Sequence, residues 1–224
     1  MKTIVVTGGG SGLGKELSKQ LAGKDIHIFL LGRNHQFLDR TQKEVEEQHG
    51  VATSLICDIR NPEAVNSVLQ SILQAENKVD MLINNAGLGF FGPLETISVQ
   101  EIDQMVDTNI KGTIYMTQAF LPYLKKQKKS SIINIISTAG QKGKVNESVY
   151  VASKYAVRGF TESLWKELEG SGVTATAVYM GGMDTPFWED STHISDRSRL
   201  KSPEEVASEI IEQLDGREEI FINR

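Results

Sequence analysis

Seven short runs of β-branched and aliphatic residues alternate along the 224-residue chain with longer stretches that carry apolar residues every three or four positions. No other feature constrains the fold so tightly. Strands joined by helix-length crossovers pair in parallel, and the helices must then lie over the sheet's two faces. The pattern predicts an α/β chain, a doubly wound and mostly parallel seven-stranded sheet forming a single domain over residues 1–224. Strands are expected near residues 2–7, 26–31, 52–56, 79–83, 131–136, 173–179 and 218–222. Most read as unbroken apolar runs, as in Ile132, Ile133, Ile135 and Ile136 around Asn134, which suits strands covered on both sides. Helix stripes are read at Leu13, Leu17 and Leu21, at Val65, Val68, Leu69 and Ile72, and at Ala152, Ala156, Phe160, Leu164 and Leu168. Ser98 with Glu101, and Ser202 with Pro203 and Glu205, read as capping boxes. Residues 180–201, bounded by Gly181 and Gly182, read as a surface loop.

Several function classes are set aside by composition. With 24 basic against 29 acidic residues the formal charge is −5, which disfavours a nucleic-acid partner. The one basic cluster, Lys125, Lys126, Lys128 and Lys129, follows an apolar helix and reads as cations offsetting its dipole. Cys57 is the only cysteine, so no internal disulfide forms, and it reads as a small buried hydrophobe. His27, His35, His49 and His193 lack metal-ligand spacing and any nearby carboxylate pattern, so they read as structural or solvated and no metal is expected. No targeting segment is read at the N-terminus, and no apolar run approaches the roughly 18 residues of a membrane span. A soluble, cytoplasmic protein without a membrane partner is the expectation.

The first strand runs into Thr7-Gly8-Gly9-Gly10-Ser11-Gly12-Leu13-Gly14, and the leucine stripe begins there. Glycines between a buried strand and a helix leave backbone N–H groups free to face an anion, where the helix dipole also favours negative charge. Neither G-x-G-x-x-G nor the G-x-x-x-x-G-K-[ST] of phosphoryl-transfer proteins fits; T-G-x-x-x-G-x-G does. This spacing resembles the cofactor turn of the short-chain dehydrogenase/reductase family, whose Rossmann-type fold the alternation also suits. The resemblance implies cofactor contacts at Gly8, Gly10, Ser11, Gly12, Leu13 and Gly14. Where strand two ends, Gly32 is followed by Arg33, whose guanidinium could pair with a 2′-phosphate, so NADP(H) is favoured over NAD(H). Asp58 and Ile59 match the family's adenine contact, and Asn84-Asn85-Ala86-Gly87 its N-N-A-G. Gly181 and Thr185 keep the register of its nicotinamide-end motif, with Met180 in place of the usual proline.

Tyr150 and Lys154 stand four residues apart on a predicted helix, hence on one face one turn apart. An ammonium there would stabilise the phenolate and pull the tyrosine pKa toward the working range. Ser137 precedes Tyr150 by the family's 13-residue spacing, and Asn109 matches its fourth catalytic position, where an asparagine can kink a helix and hold a water. The resemblance implies hydride transfer between a nicotinamide and a carbonyl or alcohol substrate. Tyr150 would serve as acid/base, Ser137 as donor to the substrate oxygen, Lys154 as holder of the ribose and Asn109 as anchor of a water. Two other uses of the motifs stay open: a catalytically silent NADP(H)-binding regulatory or interaction protein, and epimerisation or dehydration through the same tyrosine. Phe90, Phe91, Met183, Phe187 and Trp188 are candidates for an apolar pocket, with Lys142, Lys144, Asp190, His193, Asp196 and Arg197 as polar options. A homodimer or homotetramer through helices near 100–126 and 149–169 follows from the resemblance alone.

Overall fold

The computed structural model describes residues 1–189, 193–194 and 196–222. Seven strands are present among the described residues: β1 Lys2–Thr7, β2 Ile26–Gly32, β3 Val51–Ile56, β4 Met81–Asn84, β5 Ser130–Ile135, β6 Val173–Tyr179 and β7 Glu219–Phe221. All six pairings are parallel, in the order β3-β2-β1-β4-β5-β6-β7. The helices are α1 Gly12–Leu21, α2 His35–Glu47, α3 Pro62–Glu76, α4 Val99–Met105, α5 Thr113–Leu124, α6 Ser148–Glu167 and α7 Pro203–Ile211. The sheet is a Rossmann-type, doubly wound one, and its strand order reverses between β1 and β4. Open sheets of this kind hold ligands outside the carboxyl ends of the strands at such a reversal.

Alternation along each strand divides the core in two. Ile4 and Val6 of β1, Ile28 and Leu30 of β2, and Ile133 and Ile135 of β5 point to one face, where Leu13, Leu17, Val206 and Ile210 cover them. Val5, Phe29, Leu31 and Ile132 point to the other, against Val65, Leu69, Ile72, Met116, Phe120 and Leu164. Both capping boxes form: Ser98 and Ser202 accept from the amides of Glu101 and Glu205, whose carboxylates accept from the serine amides in return.

One predicted stripe is rotated. Ala152 and Ala156 are exposed and Phe160 is half-buried, whereas α6 buries Tyr150, Ser153, Lys154, Val157, Thr161 and Leu164. Polar residues can occupy the inner face because each finds a partner there. Thr161 donates to the Val157 carbonyl and accepts from Asn134 Nδ2, and Asn84 Nδ2 donates to Asn134 Oδ1 and to Thr117 Oγ1. This amide chain ties α5, β4, β5 and α6 beneath the site. The histidines also differ from expectation. His27 sits between Glu76 and Thr53 at 2.5 and 2.8 Å, His35 lies 2.7 Å from Asp39, and His193 lies 2.9 Å from Glu147. Glu76 and Glu147 come from distant segments that spacing does not display, whereas Asp39 stands four residues after His35, one turn along α2. Cys57 is buried, and burial together with Asp58 pushes its thiol up to about 11, so it packs as an unreactive thiol.

Phe120 has no exposed surface and anchors one half of the core. Phe120→Ala should lower unfolding free energy by about 3–5 kcal/mol in a urea titration, with little change in the slope.

Candidate active site

The turn after β1 is held by its neighbour across the reversal. Thr7 Oγ1 accepts from the amides of Asn85 and Ala86, both at 3.0 Å, while Asn85 Nδ2 donates to the carbonyls of Thr7 and Gly8 at 3.0 and 3.3 Å. Gly8 and Gly12 take left-handed φ values of 65° and 51°. A Cβ on Gly14 would lie 2.3 Å from the Gly8 carbonyl oxygen, so only glycine lets α1 start this close to β1. Ser11, at the start of α1, gives no side-chain cap, which leaves the first-turn amides open to an anion.

Two cavities of about 330 Å³ each flank this turn. The first is lined by Gly8, Ser11, Gly12, Leu13, Asn85, Ala86 and Gly87 from the turn and the β4 end, and by Ser137, Tyr150, Lys154, Gly181 and Thr185. The second is lined by Gly8, Gly10, Ser11, Arg33, Asp58 and Ile59, again with Ala86 and Gly87. Nearly every sequence-predicted site residue therefore faces one continuous trough across the carboxyl ends of the strands. Gly14 and Asn109 face neither cavity: the first lies under the turn and the second is 1% exposed behind Gly87. Within this trough the donor-rich turn, the adenosine-sized second cavity and the Tyr150–Lys154 pair fit the parts of a nicotinamide dinucleotide.

Asn109 lies in a π-helical stretch, Val106–Gly112, between α4 and α5. Its side chain is fully engaged: Oδ1 accepts from Leu88 N at 2.9 Å, and Nδ2 donates to the Leu88 carbonyl at 2.8 Å and to Ser153 Oγ at 3.0 Å. Ser153 in turn donates to the Tyr150 carbonyl at 2.7 Å. What this side chain does in the structure is pin the β4 loop to α6, with its amide already taken. Ser153 is the residue in this chain of contacts that the motif reading passed over, although it stands directly before Lys154 in sequence.

Ser137 follows β5 with φ 92° and ψ 156°, a region that non-glycine residues enter at a cost of about 1–3 kcal/mol. The surrounding backbone enforces it. The amides of Ser137 and Thr138 donate to the Val178 and Met180 carbonyls at 3.3 and 2.9 Å, and Ser137 Oγ accepts from Ala139 N. These bonds aim the hydroxyl at Tyr150, with which it shares a hydrogen bond.

The electrostatics of the pair differ from the sequence expectation. Burial pushes the Tyr150 phenol above its ordinary value, and the nearby Glu147 charge adds to the rise, while the Ser137 hydrogen bond opposes it. Lys154 Nζ donates to the Ile135 carbonyl at 3.1 Å and lies 5.7 Å from the Tyr150 ring centre. Its burial lowers the amine from 10.5 to about 8. Both groups lose hydration, which disfavours the phenolate and the ammonium alike, and in this geometry that outweighs their mutual attraction.

Of the apolar candidates, Met183, Phe187 and Trp188 line the first cavity. Phe91 stands behind them, edge-on to Tyr150 at 5.4 Å and stacked on Trp188 and His193 at 5.1 and 4.9 Å, and Phe90 packs in the same cluster. Among the polar candidates Lys144 lines the cavity, and Arg197 clamps the following loop by pairing with Asp184 and donating to the Thr185 carbonyl. Asp196 caps a short turn, Lys142 is exposed, and Asp190 lies outside the described residues. Glu147 and Arg60 also line the trough and escaped the motif reading.

A family model for short chain dehydrogenase matches residues 2–195, and the chain belongs to that family. An uncharacterized oxidoreductase of Staphylococcus epidermidis is 32% identical over 222 residues, 99% of this chain and 94% of its own length. Another, of Staphylococcus saprophyticus, is 35% identical over 207 residues, covering 92% of this chain and 82% of its own. Among solved structures, an actinorhodin polyketide ketoreductase variant with NADPH superposes with a TM-score of 0.89 at 27% identity, covering 99% of this chain and 95% of that one. A short-chain dehydrogenase/reductase from Burkholderia phymatum in complex with NAD shares the fold, with a TM-score of 0.91 at 23% identity, covering 98% of this chain and 88% of that one. The family is one of oxidoreductases with a nucleotide-binding Rossmann fold, and of these two solved structures one holds NADPH and the other NAD.

Lys154 ties stability to pH. From about pH 8 to 10.5 the unfolded chain binds a proton on this lysine that the folded chain does not, so stability rises with pH through that window. Lys154→Met removes the burial penalty, on the order of 3 kcal/mol at neutral pH. Its stability relative to wild type, followed by chemical denaturation, should therefore fall steadily between pH 8 and 10. The strain at Ser137 gives a second expectation: Ser137→Gly should be more stable than Ser137→Ala by about 1 kcal/mol in the same assay.

Proposed function

We propose that the protein is an NADP(H)-dependent oxidoreductase that reversibly transfers a hydride between the nicotinamide and a carbonyl or alcohol substrate. The observation that carries this reading is the convergence of Ser137, Tyr150 and Lys154 on one cavity that is continuous with the uncapped α1 turn. When bound, the dinucleotide supplies the hydride and the ring that accepts it. The residues do the rest. The first-turn amides of α1 hold the pyrophosphate, and Asp58 and Ile59 meet the adenine. Lys154, fixed by the Ile135 carbonyl, holds the nicotinamide ribose, with Gly181 and Thr185 at the carboxamide end. Ser137 donates to the substrate oxygen as charge develops there, and Tyr150 Oη gives that oxygen a proton in reduction or takes one in oxidation. Asn109 and Ser153 keep Tyr150 and the β4 loop in register.

The preference for NADP(H) rests on Arg33, which is exposed at the rim of the second cavity with no ion-pair partner among the described residues, while Asp58 is held below its ordinary value chiefly by its hydrogen bonds from Arg60, with the Arg33 charge adding to the effect. A guanidinium free to move onto a 2′-phosphate is the chemistry this end needs. A homodimer or homotetramer also belongs to this reading. It is supported by the outer face of α6, where Ala152, Tyr155 and Ala156 are exposed. No helix among the described residues is long and apolar enough to cross a membrane, and a cytoplasmic setting is part of the same proposal.

Tyr150→Phe should lower kcat by a factor of about 100 or more, the scale of a lost general acid, and leave the NADPH dissociation constant within about threefold of wild type. Near-full turnover in that variant overturns the assignment, and tight NADPH binding without turnover across carbonyl and alcohol panels favours a regulatory NADP(H)-binding protein. Arg33→Ala should weaken NADPH binding about tenfold or more and leave NADH binding little changed in a fluorescence titration.

A further inference from the structure

The catalytic cavity adjoins a second chamber under the loop that follows β6. The partition between them is built from Lys144, Glu147, Gly181, Gly182 and Trp188, which face both spaces. Among the described residues Glu147 is the only acidic one on the catalytic side, and it is just 7% exposed. It stands one helical turn before Tyr150. One of its oxygens is satisfied: Oε1 accepts from His193 Nε2 at 2.9 Å. The other is not. Lys144 Nζ stands 3.8 Å from Oε2, an ion pair beyond hydrogen-bond reach, and no other described residue donates to that oxygen. Oε2 belongs to a side chain that fronts the cavity, so a ligand there can reach it. The aromatic rings of Phe187 and Trp188 form the adjoining wall.

An acceptor left open among aromatic rings is a recognition element. A ligand that covers it without donating a hydrogen bond strips its water and returns nothing, whereas a ligand with a donor gains a charge-assisted bond. Glu147 at the N-cap of α6 and Tyr150, the helix's third residue, line the same cavity, so a group reaching Glu147 lies close along the substrate to the oxygen held by Tyr150. We propose that Glu147 reads the substrate, and that the substrates of this protein carry a hydrogen-bond donor, a hydroxyl or a protonated amine, within about two or three bonds of the reacting carbonyl carbon, with an apolar or aromatic remainder against Phe187 and Trp188. Lys144 beside Oε2 favours the neutral hydroxyl over the ammonium. The inference rests on the oxidoreductase reading for the position of the carbonyl. It concerns Glu147, which neither the cofactor turn nor the motif residues assign.

The test is binding, with whichever of NADP⁺ or NAD⁺ binds more tightly held at saturation so that no ketone is turned over. Titration calorimetry compares α-hydroxyacetophenone, α-aminoacetophenone and propiophenone, three ligands of similar size that differ in the donor. Wild type should bind the hydroxyketone about tenfold or more tightly than propiophenone. In Glu147→Leu that ratio should fall to within about threefold of one, while Glu147→Gln, which keeps an acceptor oxygen, should retain most of it. Melting temperature and dinucleotide affinity report whether each variant folds. A preference for the aminoketone that disappears in Glu147→Gln supports the proposal with a cation as the donor. Wild-type binding of both donor-bearing ketones no tighter than that of propiophenone, failure of all three ligands to bind, or a preference unmoved in Glu147→Leu overturns it. The two readings fail separately. If the ratio holds but no ketone is reduced by NADPH or NADH, the redox reading falls; if all three ketones are reduced without discrimination, that reading stands and the role of Glu147 is lost.

Discussion

The site depends on a small set of hydrogen bonds that join the carboxyl end of β1 to that of β4. Strands adjacent in the sheet but remote in the chain meet there, and the Thr7 hydroxyl serves two amides of the β4 loop while the Asn85 amide serves two carbonyls of the glycine turn. Because these bonds are buried or half-buried and mutually satisfied, they hold two loops in one arrangement rather than several. The rest follows in sequence. The turn sets where α1 begins, the β4 loop sets where Leu88 lies, Leu88 holds Asn109, and Asn109 reaches α6 through Ser153. The phosphate end and the proton-transfer end of the trough are thereby parts of one hydrogen-bonded frame.

Around that frame the protein keeps polar groups out of water where an apolar core would be more stable. Lys154, Tyr150 and Ser153 are buried on one stretch of α6 with Glu147 buried at its N-cap, and Ser137 holds a backbone conformation that favours glycine. Burial weakens the charged forms of tyrosine and lysine together, so proton affinity here responds strongly to any new charge or dipole brought into the cavity. A low-dielectric site with few compensating charges is more sensitive to what enters it than a solvated one.

Much of this was legible in the residues. Apolar runs such as Ile132–Ile136 place strands to within two or three residues, because a strand covered on both faces has no polar alternation to blur its limits. Glycine spacing in the turn and the Tyr150–Lys154 interval report backbone geometry directly, so the trough could be assembled from them. The α6 stripe misled because Ala152 and Ala156 are apolar but lie outward, and the inner face is polar and satisfied by partners from β5 and the π-helical stretch. Partners that distant leave no trace in local periodicity. Glu147 was missed for the same reason: a single glutamate before a helix reads as a solvated charge, and only the fold shows His193 and Trp188 closing over it. Direct coupling of Tyr150 to Lys154 was expected from spacing alone, yet the Ile135 carbonyl captures the amine.

The reversed strand order also governs how the chain must be made. β1 is made before both of the strands that flank it, and one side can pair with β2, residues 26–32, but its other side waits for β4 at residues 81–84. Throughout that interval of synthesis, an apolar strand destined for the centre of the sheet is an open edge with unpaired amides and carbonyls. β4 then meets the same difficulty until β5 arrives at residue 130. Parallel pairing across such separations is slow, so the nascent chain passes through a period in which its future core is its most adhesive surface. The arrangement that places a ligand trough at the middle of the sheet therefore leaves β1, one wall of that trough, as an open edge across a longer stretch of chain than any other strand of the sheet that is paired on both sides.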